Sequence, residues 1–241
     1  MKIIKYQKHK AFTLAEVLIS LAIIGVVAAL TIPALVQSYK KTVVGTKLAK
    51  FYSTINQAIT RSEIDNGDKR NWDIMYHTTV DRPDEEGISA KEWYEKYLAR
   101  YTQVLKTEET NTQEEVFNVY FPDGSMVGIM GAHMLYYPDS KDYKENQLAT
   151  DDGVEYTDRK RSDSGIKYFV FHFVPYSTNN KWTYNKGVVP YMDSNFDGSN
   201  DMLKNNPTLG CRQEVTNERA YCTELIRRNG WKIPKDYPLK F

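Results

Sequence analysis

Glu16 is the only ionisable side chain between Phe12 and Val36. Every other residue of that stretch is apolar, small or hydroxylated. A carboxylate in hydrocarbon is costly, and where one occurs it marks a function. Its cheapest partner is a positive group at the same depth. A new amino terminus at Phe12 would supply one, a helical turn away in the same chain or on a neighbouring helix in a bundle. An unpaired Glu16 is costly and a paired one is tolerated, so the pairing acts as an assembly rule.

A second oxygen-rich stretch is Asp193-Ser-Asn195-Phe-Asp197-Gly198-Ser-Asn-Asp201. Its oxygen ligands stand at alternate positions around a glycine, a pattern suited to calcium. It departs from the EF-hand loop, because the twelfth position is Lys204 rather than glutamate. An Asx-rich turn without metal is the plainer reading. Cys211 and Cys222 form the only cysteine pair. In an exported chain they are expected to bridge, at about 3 kcal/mol for a loop this short. Two thiols exclude a thiolate zinc site.

His9, His77, His133 and His172 have no zinc-ligand spacing, and His172 lies in a strand-like run. There is no nucleophile elbow, zincin motif, P-loop or dinucleotide fingerprint. The adjacent acids Glu108-Glu109, Glu114-Glu115 and Asp151-Asp152 read as solvated charge. The 18 tyrosines read as sheet and core packing, although exposed ones would suit sugar or protein contacts.

These side chains must be positioned by a few elements. Phe12 to Val36 spans 25 residues. As a helix that is about 37 Å, longer than a hydrocarbon core of about 30 Å. Val44, Leu48, Phe51, Ile55 and Ile59 continue a helical stripe. Asn66-Gly67-Asp68 is a stop, and Pro33 predicts a kink. Asn71 to Gly87 reads as loop. Ser89-Ala-Lys-Glu92 is a capping box opening a second helix. Thr107 to Glu115 reads as charged loop.

Val116–Phe121 and Ser125–Met130 flank Asp123-Gly124 as a hairpin. Ile166–Val174 is the strongest strand. Val188–Met192 is a further strand, at an edge because of Pro190. Asn217–Asn229 is a short helix closed by Gly230.

The segment Ala11-Phe12-Thr-Leu-Ala-Glu16-Val-Leu-Ile19, behind a leader carrying Lys2, Lys5, Lys8 and Lys10, resembles the processing motif of type IV prepilins and type II secretion pseudopilins. The resemblance implies cleavage between Ala11 and Phe12 by a prepilin peptidase and N-methylation of Phe12. It also implies use of Glu16 in filament assembly. The family usually carries glycine before the cut, and Ala11 stands there instead, which predicts slower processing. Pro33 falls where many pilins have a helix-breaking proline. Some pseudopilins hold calcium in a C-terminal loop, which gives Asp193, Asn195, Asp197 and Asp201 their relevance. No other cofactor is implied. The implied partners are other pilin or pseudopilin subunits, the prepilin peptidase, an inner-membrane assembly platform and membrane lipid.

Four of the 32 lysines and arginines lie in residues 1–11, leaving 28 against 31 acids, a net −3. A mildly acidic body has no electrostatic footprint for nucleic acid. The expected fold is α+β, a long N-terminal helix packed on an antiparallel sheet. Its organisation is a leader at 1–11, a membrane or filament-core helix at 12–36, an amphipathic continuation at 37–65 and a globular domain at 66–241. The expected location is a bacterial inner membrane, N-terminus cytoplasmic, with no enzymatic role. Two alternatives are a secretory signal peptide cut near Ala29 and an uncleaved signal anchor tethering a domain that binds sugar or protein.

Overall fold

The computed structural model describes residues 13–75, 86–110, 116–143, 149–151, 154–156, 161–215 and 217–241. Its first element is the 53-residue helix α1, Leu14–Asn66. Two compact units divide at residue 40, Met1–Lys40 and Lys41–Phe241. In the first, the described residues are Thr13 and α1 as far as Lys40, and the large apolar side chains are exposed, Leu14 to 78% and Leu30 to 75%.

The second unit is an α+β domain. The C-terminal part of α1 buries Gly45, Leu48, Phe51, Ile55, Ala58, Ile59 and Ser62 on one side. That is the expected stripe, with Val44 half-buried at its start. Gly67, at φ +75, ends the helix as a left-handed cap. Helix α2, Ala90–Tyr97, opens on the expected capping box of Ser89 and Glu92.

The strands are β1 (Lys106–Glu109), β2 (Phe117–Tyr120), β3 (Met126–Met130), β4 (His133–Tyr137), β5 (Ala149–Asp151), β6 (Val154–Tyr156), β7 (Phe169–His172) and β8 (Val189–Pro190). Six of them form one antiparallel sheet in the order β1-β2-β3-β4-β7-β8, and β5-β6 is a separate hairpin between β4 and β7. Helices α3 (Asn200–Asn205) and α4 (Cys222–Arg228) follow.

Alternation along the strands divides the core. Phe117, Val119, Val127, Ile129, Met134, Tyr136, Phe169 and Phe171 join the α1 stripe in the main cluster. Met126, Leu135, Tyr137, Tyr168 and Val170 pack on the opposite face with Ala220. Phe51 links helix to sheet, stacked on Tyr136 at 4.3 Å between ring centroids and edge-on to Phe171 at 5.1 Å. The turn between β2 and β3 is tied to α1 as well. Lys47 Nζ donates to the carbonyls of Asp123 and Pro138, at 3.0 and 2.6 Å.

Several sequence expectations change. Lys106–Glu109 is an edge strand rather than loop, although all four side chains are exposed. Its order comes from the backbone ladder with β2, which leaves no trace in apolar spacing. The strand expected over Ile166–Val174 shrinks to Phe169–His172, because Ile166 and Lys167 donate to Asp163 in a turn and Gly165 takes φ +76. The C-terminal helix starts at Cys222, not Asn217. The Asx-rich stretch runs into a helix, α3, which Ser199 caps by accepting from Met202 N–H.

Candidate functional site

The site that chemistry singles out is the start of α1. Thr13 N–H and Thr13 Oγ1 both donate to Glu16 Oε2 at 2.8 Å. Glu16 N–H donates back to Thr13 Oγ1 at 3.2 Å. This is a capping box, in which hydroxyl and carboxylate each satisfy an amide that the first helical turn leaves unpaired. Its signature, Thr13-x-x-Glu16, is legible in the sequence, and it adds Thr13 to the site beside the assembly charge expected of Glu16. The glutamate is therefore held at the helix N-terminus, where a negative charge is favoured by the aligned peptide dipoles. Ala11 and Phe12 lie outside the described residues.

Further along, Ser20 and Thr31 donate their hydroxyls to the carbonyls of Glu16 and Val27. Internal satisfaction of hydroxyls is what a lipid-facing helix requires. Pro33 lies inside α1 and supplies no N–H to its ladder. Among the described residues α1 is the one helix long and apolar enough to cross a membrane, and the apolar part of it is unburied.

The remaining candidate residues are in the second unit. Cys211 and Cys222 form a disulfide. The four Asx residues have separate surroundings. Asp193 Oδ1 accepts from Tyr221 OH, Asp197 Oδ1 from Ser199 N–H, and Asp201 Oδ1 from Asn205 Nδ2, while Asn195 is exposed. Arg228 donates to the Gly198 carbonyl and to Asn200 Oδ1 at the start of α3, and also to the buried Glu224. Among the described residues no three His, Cys, Asp or Glu side chains stand together as metal ligands.

His133 and His172 face each other across β4 and β7, with rings stacked at 4.9 Å and Tyr191 against both. His172 is a sheet residue, as expected. Its Nδ1 is buried without a hydrogen-bond partner among the described residues. Burial, and then the neighbouring His133, pushes its pKa down to about 3. The unfolded chain takes up that proton near pH 6.5, whereas the folded chain resists until about pH 3. Stability should therefore fall as pH drops through this window, by about 1.4 kcal/mol per pH unit from this residue. Urea melts between pH 7 and pH 4 should show a shallower acid loss in His172→Phe than in the parent. Equal slopes would remove His172 as the cause. His9 and His77 lie outside the described residues.

A long N-terminal helix, apolar and exposed at its start, with its second part buried on an antiparallel sheet, is the arrangement of a pilin. Residues 6–32 match the model of the prokaryotic N-terminal methylation motif, and the chain is a type IV pilin-like protein. Residues 34–241 match the model described as a family of unknown function (DUF6613), and the chain belongs to that family. No curated protein and no solved structure matches it. The motif and the apolar helix fit a membrane-anchored chain that assembles with other pilin subunits.

Proposed function

We propose that the chain is a structural subunit, not an enzyme, of a type IV pilus-like filament or a type II secretion pseudopilus. In this reading the prepilin peptidase cuts between Ala11 and Phe12 and methylates the new amine. The uncut leader is cytoplasmic, and the domain after α1 faces the periplasm or the exterior. The apolar half of α1 stores the subunit in the inner membrane until a platform extracts it into a helical bundle, bending at Pro33. Extraction trades lipid contact for contact with neighbouring helices. The observation that carries this reading is Glu16, a carboxylate at the head of an exposed apolar helix and within the methylation motif. Its charge is matched there by the amine of a neighbouring Phe12.

N-terminal sequencing with mass analysis of the membrane fraction tests the processing step. The expected chain begins at N-methyl-Phe12, and Ala11→Gly should be processed faster. Recovery of an intact Met1 in cells with an active prepilin peptidase would leave an uncleaved anchor instead.

A further inference from the structure

Beside the C-terminal part of α1 lies a cleft of about 340 Å³ within the second unit. That volume is at the small end for ligand pockets, which run from about 300 to 1,000 Å³. Its inner wall is aromatic. Phe51 and Tyr136 are buried there, and Phe121 meets Phe51 edge-on at 6.1 Å while remaining half-exposed. Tyr101 lines it from the segment after α2, held by its hydroxyl to Asp65.

The polar groups at the mouth divide into occupied and free. Asp123 is occupied on both oxygens, Oδ2 by Lys50 at 2.8 Å and Oδ1 by the amide and hydroxyl of Ser125. Burial pushes its pKa up, but these bonds outweigh burial and hold it below the usual carboxylate value. It is therefore charged, and Lys50 already answers that charge. Arg61, Thr54 and Gln103 line the same cleft, and none of their side chains bonds to any described residue. Thr54 departs from the habit of its helix. Thr31, Thr46 and Thr60 all return their hydroxyls to the carbonyl four residues back, and Thr54 does not. The lining thus holds two cations, Lys50 paired with Asp123 and Arg61 unpaired among the described residues, together with a free hydroxyl, a free amide and aromatic faces.

From this arrangement we infer that the cleft is a binding site for an acidic saccharide, a hexuronic acid residue within a glycan. The uronate carboxylate meets the Arg61 guanidinium, whose planar fork matches it in two parallel hydrogen bonds. The sugar hydroxyls meet Thr54 and Gln103, and the C–H face of the ring lies on Tyr101 or Phe121. A neutral sugar leaves the guanidinium unmatched, and a bare inorganic anion leaves the aromatic wall and the amide unused. The inference does not rest on the filament reading: every residue of the site belongs to the second unit.

Calorimetry on the full chain in detergent tests this, with trigalacturonate, neutral galactotriose and inorganic phosphate as probes. Trigalacturonate should bind, the neutral trisaccharide about tenfold or more weaker, and phosphate not measurably. Arg61→Gln should weaken trigalacturonate about tenfold at an unchanged melting temperature, and Thr54→Val by a smaller factor. Equal affinity for the neutral sugar, equal affinity for phosphate, or no binding of trigalacturonate at millimolar concentration would each overturn the proposal.

Discussion

Replacing Glu16 by glutamine should leave the chain in the membrane and keep it out of the filament. Glutamine has the size of glutamate, and its carbonyl oxygen can still accept from Thr13 N–H and Oγ1, so the start of α1 should survive. What is lost is the charge. Insertion becomes easier, because a neutral amide costs less in hydrocarbon than a carboxylate. In a bundle the sign reverses, since the amine of a neighbouring Phe12 would then sit in low dielectric with no counter-charge. Losing one partner of a desolvated charge pair is punished mainly through the partner left behind.

Sheared filament fractions should contain about tenfold less of the variant or lower still, with membrane levels unchanged. Glu16→Asp should fall between the two, with the charge kept but drawn back by one methylene. Parental incorporation of Glu16→Gln would remove the pairing from the mechanism. Loss of the protein from the membrane would instead place the defect in insertion.

Gly45→Ala should destabilise the second unit, although the position is inside a helix. On propensity alone the change gains about 1 kcal/mol. The geometry opposes it: a Cβ at Gly45 would stand 2.2 Å from the carbonyl oxygen of Trp231. That oxygen is backbone, and it is pinned. Gly230 and Trp231 sit at φ +66 and +60, Trp231 N–H donates to the Ile226 carbonyl, and the indole packs against Tyr52 at 5.1 Å. The clash therefore moves the helix away from the C-terminal segment, at an overpacking cost of about 3 kcal/mol. The net loss is about 2 kcal/mol, or roughly 4–8 °C in melting temperature for a domain of this size. Gly25→Ala, where no described residue lies within 4 Å of the added carbon, is the matched control for thermal melts. An unchanged melting temperature in Gly45→Ala would mean that this approach is looser in solution.

Several features were readable because they are local. The α1 stripe, the Ser89–Glu92 box, the turn at Asp123-Gly124 and the edge position of Pro190 each depend on a few adjacent residues. Other features were hidden because they depend on distant chain. Strand β4 has no alternation to read, since both faces of the sheet are covered at Met134 to Tyr137 and the segment is apolar throughout. Strand β1 is charged and exposed, and exists through its pairing with β2. Arg61, Thr54 and Gln103 carry no motif. They become a set because α1 and the segment after α2 border one cleft.

The sequence by itself determined the start of the protein. A lone carboxylate in an apolar run, behind a basic leader, is a matter of composition and spacing along one helix, and needs no distant residue to have meaning. Only the tertiary structure decided what the second unit offers. Which charges are paired, which hydroxyls stay free and where backbone meets backbone at Gly45 all depend on contacts between residues far apart in the chain. No period or propensity encodes such contacts.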